Sequence, residues 1–174
     1  MAKRRLSPSK KRHEISRFVQ ERLRLIHNYA SIIKRIDPLT IDISPDGIGS
    51  IYTPSLEYFS RVTPQSPPTG IVFLDSSFLA FREIVSYGYS TESSSDPEVY
   101  CLEYSYHYQR PQDNAFFRYD FHPGIGDPET HPLHHLHAAG WPNGATDLPS
   151  APRFPVPEIT LSEILDLIKT NFFS

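Results

Sequence analysis

The sequence predicts an α+β fold: an antiparallel sheet, a meander, packed against an N-terminal and a C-terminal helix. Three observations carry this. Apolar residues recur at helical spacing from Glu14 to about Ile36. Two alternating aromatic runs, VYCLEYSYHYQR (99–110) and AFFRYDFH (115–122), flank the turn sequence PQDN. The segment ITLSEILDLIKTNFF near the end is amphipathic and begins with a capping signal.

The first helix follows from Ile15, Val19, Leu23 or Arg22, Ile26, Ala30 and Ile33, spaced by threes and fours, with Arg17, Glu21 and Arg24 on other faces. Pro38 fits a stop just beyond it. Residues 39–52 suggest one or two short strands around Pro45 to Gly47, and residues 53–70 read as irregular. IVFLDSSFLAFREIVSY (71–87) reads as a hairpin turning at Asp75, Ser76 and Ser77. Residues 123–158 are rich in turn residues. In the final helix, Thr160 and Glu163 form a capping box, with Ile159 and Ile164 at the staple positions.

The chain has 174 residues, enough for one domain with a real core. We expect a basic disordered arm over 1–12 and a single α+β domain over 13–174. Ten Tyr and eleven Phe supply much of the apolar bulk. One cysteine, Cys101, excludes an internal disulfide and a CxxC zinc site. No apolar run approaches the roughly 20 residues of a membrane span. The basic start lacks the apolar region of a secretory signal, so a cytoplasmic protein is the expectation. Charge is divided: residues 1–35 hold eleven Lys or Arg against two Glu, and the remainder holds six against eighteen acidic residues. A basic segment of this kind suits a polyanion, an acidic partner or simple solubility.

Side chains alternate between faces along a strand. A four-residue turn at 111–114 sets Arg110 opposite Ala115, His107 opposite Arg118, Ser105 opposite Asp120 and Glu103 opposite His122. Cys101, Glu103, Ser105, His107 and Gln109 then share a polar face with Arg118, Asp120 and His122. Most of the aromatic residues take the other, Phe116 staying on the polar side. A one-residue slip would bury charge against rings. Five of the eight histidines lie between 116 and 140. If the PGIGDPE segment turns back, His131, His134, His135 and His137 meet this polar face.

Three chemistries suit such a cluster. A metal-free phosphodiesterase needs a base, an acid and a cation: histidines for proton transfer, Arg118 for phosphate, and Asp120 to orient an imidazole. It needs no cofactor, and cleavage should survive a chelator. Alternatively, His135 and His137 in an extended segment share a divalent transition metal completed by Asp120 or His122. The third reading is non-enzymatic, with Arg118–Asp120 as a cross-sheet ion pair and the N-terminal segment binding protein or nucleic acid. There is no Walker A loop, GxGxxG or GxSxG motif.

YSYHY (104–108), FRYD (117–120) and PLHHLH (132–137), followed by the amphipathic ITLSEILDLI, together resemble the TumE-like toxins of prokaryotic toxin–antitoxin modules. The resemblance spans roughly residues 70–170. It implies a small α+β toxin, a ribonuclease-like activity on RNA and a cognate antitoxin partner. It also implies site roles for His107, Arg118, Asp120, His134, His135 and His137. The chain departs after Asp120, reading FHPG where the family often continues with Asn, a small residue, Pro and His. Whether His122 or His131 stands in for a family histidine is left open by that departure.

Overall fold

The computed structural model of the chain describes residues 6–54, 68–91, 94–113, 115–124, 132–139 and 153–173. Helix α1 runs Pro8–His27, followed by β1 (Ile33–Ile36), β2 (Thr40–Ile43), β3 (Ile48–Tyr52), β4 (Ile71–Phe73) and β5 (Phe78–Gly88). Then come β6 (Glu98–Arg110), β7 (Ala115–Phe121), β8 (His134–Ala139), β9 (Phe154–Pro155) and helix α2 (Leu161–Phe172). The sheet is ordered β1-β4-β5-β6-β7-β8-β9, with the β2–β3 hairpin joined to β5 through β3. All of its described pairings are antiparallel. This is the α+β meander between two terminal helices that the sequence predicts.

Helix α1 departs from expectation at both ends. It starts at Pro8 rather than near Glu14. Ser7 accepts a hydrogen bond from the Lys10 amide, and proline at the first helical position has no amide to leave unpaired. Residues 8–12, expected in a disordered arm, are therefore helical; residues 1–5 lie outside the described residues. The helix ends at His27 rather than near Ile36. Tight turns follow, with the amides of Tyr29 and Ala30 bonding to Ile26 and His27. Ile33–Ile36 then leave as an edge strand on β4. Helical spacing and β-branched character compete over Ile32, Ile33 and Ile36, and pairing with β4 decides.

The buried stripe of α1 is Ile15, Val19 and Ile26. That of α2 is Leu161, Ile164, Leu165 and Ile168, each fully buried. At about 2 kcal/mol per buried aliphatic side chain, these stripes rather than helix propensity hold the helices in place. Thr160 and Glu163 make the capping box at the start of α2. Tyr29 donates to Asp166 at 2.7 Å, tying the chain after α1 to α2.

Leu79, Phe81, Tyr104, Tyr106 and Tyr108 belong to the same core as both helices, with Phe117, Tyr119 and Phe121 packed against it. The β6–β7 register is the one the turn length implies, with Arg110 paired to Ala115, His107 to Arg118 and Ser105 to Asp120. One irregularity changes a face. β6 carries an extra residue between the pairs Ile84–Glu103 and Val85–Cys101. This bulge moves Cys101 off the polar face expected for it and against the core. Burial, reinforced by the negative charge of Glu83, pushes its thiol up to about 12, which leaves it protonated and unreactive at neutral pH.

Candidate functional site

Strands β5 to β8 align their polar side chains in two rows across the sheet. One row is Ala80, His107, Arg118 and His137; the other is Arg82, Ser105, Asp120 and His135. Strands lie about 4.8 Å apart, so successive members of a row are neighbours. The chain does turn back after Asp120: the histidine-rich segment is β8, not a loop, and pairs with β7 from Phe116–Ala139 to Phe121–His134.

Asp120 is the centre, only 3 % exposed. Its Oδ1 accepts a hydrogen bond from Ser105 Oγ at 2.6 Å. Its Oδ2 accepts one from Arg118 Nε at 2.7 Å. His137 Nε2 and His135 Nε2 stand 3.5 and 3.7 Å from that same Oδ2. Burial alone would raise the carboxyl's pKa. The Arg118 charge, the Ser105 hydrogen bond and His122 outweigh it and hold Asp120 below the usual carboxylate range.

The imidazoles are held in different ways. His135 is buried, and its Nδ1 lies 2.8 Å from the Pro132 carbonyl. A carbonyl only accepts, so Nδ1 carries a proton and the ring turns Nε2 toward Asp120. In His137, burial first, then Arg118, pushes the imidazole down to about 3, against the pull of Asp120. In His107, burial outweighs the hydrogen bond that its Nε2 donates to Gln109 Oε1 and pushes the ring down to about 4. At neutral pH both rings therefore present lone pairs and are not proton donors. His107 stacks on Phe116 at 5.4 Å between centroids, and its buried Nδ1 has no hydrogen-bond partner.

A second ion network borders the centre. Arg82 pairs with Glu103, and Glu103 Oε1 lies 3.3 Å from His122 Nδ1. His122 Nε2 in turn faces Asp120 Oδ1 at 3.8 Å. Arg82 was not among the residues singled out in the sequence. Its parity along 78–85 places it opposite Glu83, but the long connection between β5 and β6 leaves their pairing register undetermined by sequence.

Of the residues predicted for the site, His107, Arg118, Asp120, His135 and His137 share the face. His134 does not. Strand alternation turns it to the core side, where Nδ1 meets the Tyr104 hydroxyl at 2.9 Å and the ring stacks on Phe121 at 4.4 Å. The same hydroxyl accepts the Ile159 amide, which connects β8 to the start of α2. His131 lies outside the described residues. His27 is exposed, with Nδ1 2.9 Å from the Leu23 carbonyl.

Asp120, His135 and His137 bring one ligand-type atom each within 4.8 Å of one another, the one such group of three among the described residues. The arrangement can bind a cation between lone pairs, or bind an anion at Arg118 beside an unprotonated imidazole. No described helix is long and apolar enough to cross a membrane. A family model described as "Toxin TumE" matches residues 52–172. No curated protein and no solved structure matches the chain.

Proposed function

The chain belongs to the TumE toxin family, and on that premise we propose that it is the RNA-cleaving toxin of a toxin–antitoxin module, acting on phosphodiester bonds in the cytoplasm. The observation that carries this reading is the Arg118–Asp120–His137 arrangement. A guanidinium with a side chain 29 % exposed rests on a buried carboxylate at 2.7 Å. An unprotonated imidazole faces the same oxygen at 3.5 Å.

In this reading Arg118 keeps its terminal nitrogens for the scissile phosphate, while its Nε stays oriented by Asp120. Charge that builds on the phosphoryl oxygens in the transition state is met by a cation already in place. The carboxylate–imidazole set beside it activates the attacking oxygen. His107 stands beside Arg118 on the adjacent strand. His134 secures β8 to the core and so positions His135 and His137. A cognate antitoxin is the expected protein partner.

The test is cleavage of single-stranded RNA by the full chain, compared with Arg118→Ala. The variant should lose about a hundredfold to a thousandfold in rate, the scale of removing one transition-state donor, and melt within a few degrees of the parent. Cleavage at the parent rate would remove Arg118 from the chemistry. No cleavage by the parent protein on any RNA would overturn the reading.

A further inference from the structure

Two adjacent strands in fixed register deliver His135, His137 and Asp120 to one spot, so the three do not depend on a loop for their positions. Each is oriented by a second partner or by its strand. The His135 tautomer is set by the Pro132 carbonyl, and Asp120 is held by Ser105 through its other oxygen. Carbonyl-anchored histidines and hydrogen-bonded carboxylates are the outer shell that metal ligands commonly have.

The separations suit an ion better than direct hydrogen bonds. A charge-assisted N–H···O contact closes to about 2.7–2.9 Å. Here the two Nε2 atoms stop at 3.5 and 3.7 Å from Oδ2. Metal–ligand bonds of about 2.0–2.2 Å in a tetrahedral site put neighbouring ligand atoms roughly 3.4 Å apart.

We propose that His135 Nε2, His137 Nε2 and Asp120 Oδ2 bind one divalent first-row transition-metal ion. Two imidazoles and one carboxylate select such an ion over magnesium or calcium, which prefer all-oxygen shells. Three protein ligands leave at least one coordination position for water or substrate, the pattern of catalytic rather than structural sites. The ion's functional meaning rests on the RNA-cleaving reading above, where it would be the group that activates the attacking oxygen. Arg118 lies outside the ligand set. It shares Oδ2 with the ion, so its removal should not weaken ion binding.

The test uses the full chain, stripped with chelator and dialysed against Zn²⁺, with elemental analysis for stoichiometry and Co²⁺ absorption for geometry. One ion per chain is expected. His137→Gln and Asp120→Asn should each weaken binding roughly tenfold or more, by the scale of perturbing a metal's ligand shell. His27→Ala, exposed on α1 and far from the ligand set in sequence, and Arg118→Gln should bind as the parent does. Circular dichroism identifies any variant that fails to fold; because His137 and Asp120 lie on different strands, either one suffices. No stoichiometric ion, or equal affinity in folded His137→Gln and the parent, overturns the site. RNA cleavage persisting at the parent rate without bound ion would remove the ion from the reaction and leave the RNA reading standing. Ion binding with no cleavage of RNA would end that reading and leave the ion site standing.

Discussion

The two faces of β5–β8 each bury an arginine–carboxylate pair, and they use it differently. On the helix-covered face, Glu83 is 2 % exposed and receives Arg22 Nε at 2.9 Å and the Tyr106 hydroxyl at 2.6 Å. Each of its oxygens has a donor, among tyrosines, phenylalanines and aliphatic side chains. On the other face, Asp120 has a donor on each oxygen too, but two imidazoles crowd the same Oδ2 at distances too long for good hydrogen bonds. The first pair is saturated and serves the fold. The second lies beside two imidazoles and a guanidinium whose side chain is part exposed. What sets the two pairs apart is what stands beside the carboxylate: a core of rings and aliphatic side chains around Glu83, two further imidazoles around Asp120.

The comparison can be broken by showing that the helix face controls activity. Ile168→Ala, in the fully buried stripe of α2, should cost about 2–5 kcal/mol in urea unfolding. The folded fraction should cleave RNA at the parent rate. A specific-activity loss matching the stability loss would mean that the faces are coupled.

His107 sharpens the polar side of the comparison. Its folded value of about 4 lies below the ordinary 6.5. The unfolded chain therefore binds this proton more readily than the folded one. Stability from the buried neutral ring is present above about pH 6.5 and is lost as pH falls toward 4, by about 3 kcal/mol in total. Urea midpoints at several pH values between 7 and 4 check this. A His107→Asn variant should show a flatter pH dependence, and an unchanged slope would assign the effect elsewhere.

Much of this arrangement was legible in the residues, and the reasons are local. The turn at 111–114 is short, so the pairing of His107 with Arg118 and Ser105 with Asp120 follows from counting. Alternation over the strands then separates rings from charges. Where the connection is long, counting fails. Nine residues separate β5 from β6, and neither Arg82 on the polar face nor Glu83 in the core could be assigned. A bulge has no signature in VYCLE, so Cys101 was placed on the wrong side. PLHHLH offered adjacent histidines of opposite parity. Once the segment pairs as a strand, His135 and His137 stay on the polar face and His134 is sent to the core. The end of α1 is not marked in the sequence, because isoleucines suit both periods.

The most direct test sets the two carboxylates against each other: Asp120→Asn and Glu83→Gln, each measured for RNA cleavage and for thermal stability. The account predicts that Asp120→Asn abolishes cleavage while remaining folded. It predicts that Glu83→Gln melts lower but cleaves at the parent rate where it is folded. Cleavage by Asp120→Asn at the parent rate, or a loss in Glu83→Gln as deep as in Asp120→Asn, would contradict it.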